Sequence, residues 1–406
     1  MLLTTQQKTV IENILSGIFS KIDDECNYMT VGGYAGTGKT TIIGELRKRL
    51  YELFPYLSVA FVTFTGKASS VLLNKLTMTN SYFGIDYCGT IHGLIYKPLF
   101  EWDNKLKRYI VVGWKKISND EFYHKIIIID EASMVSKEIW NDLKSYGVPI
   151  IAFGDHGQLP PIGDDFNLMK SPIFTLTEIH RQALNSPIIK LSQVARKEGY
   201  IPFGIYSKEV FKISWRHPKC LDIWKNVSYV DPNLSILCGF NITRNNINHM
   251  IRDSLGYKER APYPGEKIVC LCNNHNLRIM NGQIGNVIWL VPDDDSYRIT
   301  VEIDNELYDC LVADQCFGES KYSLYDKSPK LMRLRDQCFD KGYTNVDFFD
   351  YGYVISVHKS QGSEWDKVIL FEQRTSNWDD EYYAKWLYTA ITRAKNKLMI
   401  ITDAWV

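Results

Sequence analysis

The chain has 406 residues, enough for two or more domains, and its 45% apolar and 23% charged composition excludes a disordered or fibrous protein. Lys plus Arg number 47 and Asp plus Glu number 47, so a nucleic-acid partner has to be met by a local basic track and not by a basic protein. Nine scattered cysteines with no C-x-x-C pair argue against a zinc ribbon or disulfide framework. Without a run of about eighteen apolar residues or a secretory signal pattern, the expectation is a cytoplasmic chain with no membrane partner.

The first distinctive stretch is "GYAGTGKTT", residues 33 to 41, which follows the apolar-leaning "NYMTVG". Gly33, four residues, then Gly38-Lys39-Thr40 is the spacing of a phosphate-binding P-loop. Glycine lets successive backbone N–H groups converge on phosphate oxygens, and the following helix adds the positive end of its dipole. Gly36, Thr37, Gly38, Lys39, Thr40 and Thr41 are therefore the expected nucleotide contacts. Lys39 would reach the β- and γ-phosphates, and the Thr40 hydroxyl would bind Mg²⁺. A helix-capping turn with a surface lysine is the plainer alternative, but Ile42, Ile43, Leu46, Leu50 and Leu53 continue it with helical spacing.

Helical stretches alternate with "LSVAFVTF", "HKIIIIDEA" and "VPIIAFGD", which predicts βαβ units and a parallel sheet. Residues 96 to 116 interrupt the alternation as a β-hairpin turning at Asp103-Asn104-Lys105. "IIIIDEAS" ends a buried strand in Asp130, placed to hold Mg²⁺, and Glu131, placed to orient or deprotonate water. From 176 to 255 the pattern is helical and returns to a strand at "LSILCGF". "GEKIVCLCNN", "GQIGNVIWLV", "YRITVEID" and "ELYDCLVAD" predict a small β-barrel, with Cys270 and Cys272 on one face of a strand. Residues 315 to 349 suggest no assignment, and the remainder is again α/β.

"FGDHGQLPPIG", residues 153 to 163, resembles the third motif of superfamily 1 helicases. With ordered matches along nearly the whole chain, the sequence resembles the RecD/Dda-like branch, superfamily 1B. "LTTQQKTV" resembles the adenine-reading Q motif through Gln7, and "FVTFTGKAS" and "TIHGL" resemble DNA-contacting motifs Ia and Ib. "EIHRQ" resembles the motif that supplies Arg181, and "LCGFNITRNNIN" resembles motif IV. "VISVHKSQGSEWDKV" and "LYTAITRAKNKL" resemble motifs V and VI, and "NNHNLRIMNGQIGNVIWL" resembles the start of an SH3-like insertion.

The resemblance implies two RecA-like P-loop domains, 1–95 with 117–175 and 176–255 with 350–406. It also implies an inserted hairpin, 96–116, and an SH3-like insertion, 256–349. ATP and Mg²⁺ are the implied cofactors. Gln158, Arg181 and Arg393 would act on the γ-phosphate, and Gly362 and Glu364 would lie near the nucleotide. Phe64, Thr65, Thr90, His92, Asn241, Thr243, His358, Lys359 and Ser360 would line a single-stranded DNA track. Phe64 stands where relatives often have proline. Trp102 and Tyr109 would supply the apolar face that separates strands. The implied activity is 5′ to 3′ translocation and duplex unwinding by a monomer, with single-strand binding, replication or recombination proteins as partners. A translocase without unwinding, a docking subunit of a repair complex and an RNA track are the rivals, and a kinase or GTPase is disfavoured.

Overall fold

In this computed structural model the described residues are 3–20, 27–103, 108–160, 166–179, 185–272, 274, 276, 277, 279, 281–303, 306–319, 329–338, 340–343 and 345–402. The chain divides into two compact units, residues 1–98, 114–197 and 384–389, and residues 99–113, 198–383 and 390–406. No helix among the described residues is long and apolar enough to cross a membrane.

In the first unit α1 (Thr5–Ser20) precedes β1 (Tyr28–Gly33), α2 (Lys39–Leu53), β2 (Val59–Thr63), α3 (Gly66–Met78), β3 (Tyr87–Thr90) and α4 (Ile91–Ile95). β4 (Tyr96–Asp103) and β5 (Arg108–Lys116) follow in the chain, their residues 99–113 grouping with the second unit, and the first unit resumes with β6 (Ile126–Ile129), α5 (Lys137–Lys144), β7 (Ile150–Gly154), β8 (Phe174–Leu176) and α6 (Pro187–Glu198). The sheet order is β3-β2-β6-β7-β1-β8, and its pairings are parallel. The four isoleucines of β6 show why such a strand reads as an unbroken apolar run. Ile126 and Ile128 pack with Ile42, Leu46 and Ile14 on one face, while Ile127 and Ile129 pack with Ile91, Trp140 and Leu143 on the other. Side chains alternate, and helices cover both faces. In α2 the expected apolar stripe holds at Ile42, Ile43, Leu46 and Leu50, but Leu53 is exposed because the helix ends there.

β4 and β5 form a two-stranded sheet of their own. Its base is fixed by Ile117 N–H donating to the Ile95 carbonyl (2.9 Å) and by the Tyr146 hydroxyl donating to the carbonyls of Ile95 and Ile117. The side chains of Trp102 and Tyr109, and Asn104 and Lys105 of the expected turn, lie outside the described residues.

The second unit contains β9 (Gly204–Ser207), β10 (Val210–Ser214), α7 (Pro218–Asn226), β11 (Leu234–Cys238), α8 (Asn241–Ser254), β12 (Lys267–Cys270), β13 (Ile284–Asp293), β14 (Ser296–Ile303) and β15 (Glu306–Ala313). It continues with α9 (Pro329–Gln337), β16 (Phe349–Tyr351), β17 (Val354–Ser356), β18 (Trp365–Phe371), α10 (Asp380–Ile391) and β19 (Ala394–Thr402), α10 contributing residues 384–389 to the first unit. One sheet has the order β17-β11-β18-β19-β10-β9, parallel except at the β9 edge. The β9–β10 pair lies in a region expected to be helical.

The other sheet, β15-β14-β13-β12-β16, is antiparallel, and its two ends meet through a bridge from Val312 to Asp347. Strand β12 stops at Cys270, so Cys272 lies just beyond it, with its carbonyl accepting from the Cys270 thiol. A shared core, including Ile236, Ile247, Ile268, Val301 and Val312, joins the two sheets. Two buried ion pairs, Arg244 with Asp350 at 2.7 Å and Arg252 with Glu266 at 2.9 Å, fasten α8 to the antiparallel sheet.

Candidate nucleotide site and nucleic-acid track

Register places the loops bearing Lys39, Asp130, Glu131 and Gln158 on one edge of the first sheet. Gly32 pairs with Gly154 and Ile129 with Ala152, so the loops after β1, β7 and β6 leave the sheet side by side. Ligands of open α/β sheets bind outside such carboxyl ends.

Gly36 and Gly38 have φ of 81° and 80°, the left-handed region where a side chain would be strained. A Cβ at Gly33 would sit 2.6 Å from the Thr37 hydroxyl, which fixes glycine there as well. The Lys39 ammonium donates to the carbonyls of Gly33 (2.6 Å) and Tyr34 (3.4 Å), lying across the loop it would serve. Gln7, expected to read adenine, is buried. Its amide donates to the Thr37 carbonyl (2.9 Å) and accepts from Thr4 N–H (3.0 Å), so in this conformation it braces the loop from α1.

Asp130 accepts from the backbone N–H of Glu131 at 3.0 Å. Glu131 has φ 58° and ψ 39°, a left-handed conformation that costs a non-glycine residue roughly 1–2 kcal/mol. Strain of this kind gathers at functional positions. Beyond β7, Asp155 accepts from Gly157 N–H through Oδ1 (2.9 Å) and turns the chain so that buried Gln158 follows.

Three residues that motif spacing did not single out crowd Tyr34 inside the glycine loop. The His156 ring lies 4.1 Å from that of Tyr34, the Arg196 guanidinium stacks 3.4 Å above the Tyr34 centroid, and the Tyr388 ring meets Tyr34 edge-on. Burial lowers the His156 pKa, and the cations Arg196, Lys39 and Lys385 lower it further against the pull of Asp155. The aromatic residue inside the glycine loop, Tyr34, was the available signal.

The expected DNA contacts fall into three groups. Thr65 and Thr90 cap α3 and α4, accepting from Ala68 N–H (3.2 Å) and Gly93 N–H (3.0 Å), while Phe64 and Tyr96 flank His92 at ring distances of 6.5 and 5.5 Å. In the second unit Asn241 is exposed at the start of α8, and half-buried His358 pairs with the Tyr382 hydroxyl at 2.7 Å. Burial lowers the His358 pKa. Thr243 and Ser360 form the third group. Both are buried, the Thr243 hydroxyl accepting from the Gln373 side-chain amide (2.7 Å) and the Ser360 hydroxyl donating to the Val357 carbonyl (2.7 Å).

Arg393 is buried in the second unit, donating to the Ser363 carbonyl (3.1 Å) and the Thr392 hydroxyl (3.1 Å). Gly362 has φ 73°, and exposed Glu364 makes a 3.7 Å ion pair with Lys395. Arg181 lies outside the described residues.

A glycine loop between a parallel strand and a helix, beside two strand-end acids, defines the class as a P-loop NTPase fold. Residues 19–164 match the family described as AAA domain, and residues 351–401 match the UvrD-like helicase C-terminal domain. An uncharacterized protein of Methanocaldococcus jannaschii is 25% identical over 91% of this chain and 36% of its own length. The ATP-dependent RecD2 DNA helicase of Deinococcus radiodurans is 23% identical over 90% of this chain and 45% of its own length. The chain thus spans less than half of these curated relatives.

Among solved structures, Pif1 helicase of Bacteroides bound to ADP-AlF3 and single-stranded DNA aligns with TM-score 0.51 and 20% identity, covering 100% of this chain and 93% of that one. A second Pif1 structure, described for unwinding at forked DNA by two coordinating Pif1 helicases, aligns with TM-score 0.52 over the same shares at 20% identity. The fold is that of the Pif1 RecA-like domains.

Proposed function

We propose that the chain is an ATP-dependent DNA helicase that translocates 5′ to 3′ on single-stranded DNA and unwinds duplex ahead of it. The observation that carries this reading is the alignment of the P-loop, Asp130 with Glu131, and Asp155 with Gln158 on adjacent strand ends of one parallel sheet. The family matches over 19–164 and 351–401 and the RecD2 relative support it.

Lys39 would exchange its loop carbonyls for phosphate oxygens, and the N–H groups from Gly36 to Thr41 would hold the β-phosphate. Thr40 and Asp130 suit Mg²⁺, which takes one or two protein oxygens and completes its shell with phosphate and water. When bound, Mg²⁺ neutralises phosphate charge. Glu131 would orient the attacking water and accept its proton, Gln158 would fix the water or γ-phosphate, and Arg181 and Arg393 would stabilise the transferring group with planar charge. The two-stranded β4–β5 element would act as the strand-separating wedge, and the antiparallel β12–β16 sheet as the SH3-like module.

The test is ATPase activity with single-stranded DNA or RNA, followed by unwinding of 5′-tailed and 3′-tailed duplexes. DNA stimulation and unwinding of the 5′-tailed substrate are expected. Glu131→Gln should lower turnover by roughly a hundredfold or more, the scale on which general-base catalysis is lost, while ATP still binds. Wild-type turnover in that variant, or unwinding of the 3′-tailed duplex alone, overturns the reading.

A further inference from the structure

The Tyr388 hydroxyl joins two parts of the nucleotide site that are far apart in sequence. It accepts from the backbone N–H of Ala35 in the P-loop at 2.8 Å and donates to Asp155 Oδ2 at 2.6 Å. Tyr388 and Asp155 are each 1% exposed. The direction of the chain follows from the groups themselves. An ionised carboxylate only accepts, so the hydroxyl proton goes to Asp155 and a lone pair is left for Ala35 N–H. Bonds to a charged acceptor in such an enclosed place are strong and directional.

Asp155 extends the link with its other oxygen, which accepts from Gly157 N–H in the turn that presents Gln158. Thr389, the next residue along α10, accepts from Leu159 N–H at 3.0 Å. The Gly157 backbone also lies against the Tyr388 ring, where a Cβ would come within 3.1 Å of it. One carboxylate and one phenol thus set the Ala35 N–H of the P-loop against the turn bearing Gln158.

We propose that Tyr388 is a positioning residue for ATP hydrolysis, holding the P-loop backbone in register with the Asp155–Gln158 turn through its hydroxyl. The inference rests on the reading of the chain as an ATPase. Removing the oxygen leaves Ala35 N–H and Asp155 Oδ2 buried without this partner, and the turn free to move relative to the loop. Small misplacements at a reacting centre act on the chemical step more than on the binding of a ligand held by many other N–H groups.

The experiment compares wild type, Tyr388→Phe, Asp155→Asn, the double variant and Tyr146→Phe for DNA-stimulated kcat, Kd for a fluorescent ATP analogue, and Tm. Tyr146→Phe is a matched control, since it also deletes a buried hydroxyl of the first unit, one bonded to backbone carbonyls at the hairpin base. Tyr388→Phe should lower kcat by about tenfold or more while Kd changes by less than about threefold, the split that marks an interaction acting on the chemical step. Asp155→Asn should do the same, and the double variant should be no worse than the poorer single one, because both break one chain. Tyr146→Phe should lose Tm without losing kcat. Unchanged kcat in Tyr388→Phe, additive losses in the double variant, or an equal kcat loss in Tyr146→Phe overturns the proposal. A folding failure of Tyr388→Phe leaves Asp155→Asn, which preserves side-chain volume, to decide by the same split. A wild-type chain that does not hydrolyse ATP sinks the ATPase reading instead.

Discussion

Lys359 is a half-buried ammonium with no hydrogen bond or ion pair from its side chain among the described residues. Burial, reinforced by the Arg244 guanidinium, pushes its pKa down to about 8 against the weaker pull of Cys270 and Asp350. On the proposed track it binds a DNA phosphate only when protonated, and the phosphate would raise its pKa again. Affinity for single-stranded DNA should therefore fall as pH rises through about 8, and Lys359→Arg, charged throughout, should remove the fall. At pH 7 Lys359→Gln should reduce the slope of log affinity against log salt by about 0.7, one single-strand phosphate contact. Fluorescence anisotropy across pH and salt measures both, and a flat pH profile in the wild type refutes the assignment. The same depressed pKa has a folding consequence. Between about 8 and the ordinary 10.5 the unfolded chain binds more protons, so this group's contribution to stability rises with pH in that window. Residue type and motif were enough to single out Lys359, but its burial was not legible, because the neighbouring Arg244, Cys270 and Asp350 are distant in sequence. The partners of Thr243 and Ser360 were hidden for the same reason: a hydroxyl in a motif says nothing of which backbone or side-chain group lies beside it.

At the scale of elements, α2 shows what spacing reveals and what it hides. Its apolar stripe was readable, but its firmest anchor is polar. Arg47, with no exposed surface, makes a two-pronged pair with Asp86, Nε to Oδ2 at 2.9 Å and Nη2 to Oδ1 at 3.0 Å. Asp86 also accepts from the backbone of Val59 and Phe83, so the pair holds the P-loop helix to the start of β2 and the turn before β3. Asp86→Ala should cost about 3–5 kcal/mol, because it strands a buried guanidinium. Adding Arg47→Met should recover part of that loss. Chemical denaturation of the single and double variants checks this, and a loss below about 1 kcal/mol would place the pair among those with surface-like energetics. The pairing was invisible in the sequence because a lone arginine in a helical stripe looks like a surface residue. The parallel strands were legible because two helical layers demand apolar residues on both faces. The β9–β10 pair was not, being short and set between helices.

At the scale of the whole molecule, the first unit holds one parallel sheet and reaches Lys197, and the second holds a mainly parallel sheet and an antiparallel one. The β4–β5 hairpin has a fixed base, as strand separation by a wedge requires, since an unsupported two-stranded element is marginal. If Trp102 or Tyr109 forms the wedge, its replacement by Ala should slow unwinding by about tenfold, the rate equivalent of one stacking step of about 1.4 kcal/mol, and spare single-strand ATPase and translocation. Parallel loss of all three activities with Tm marks a packing role, and no selective loss in either variant removes the hairpin from strand separation. The inclusion of residues 384–389 in the first unit bears on how the protein is made. A ribosome that has completed the amino-terminal sheet has not yet supplied Tyr388 and Thr389, the partners of Ala35, Asp155 and Leu159. The phosphate loop is emitted early and braced late, so a nascent chain arrested before residue 388 carries every glycine of the cradle without the phenol that holds it in place.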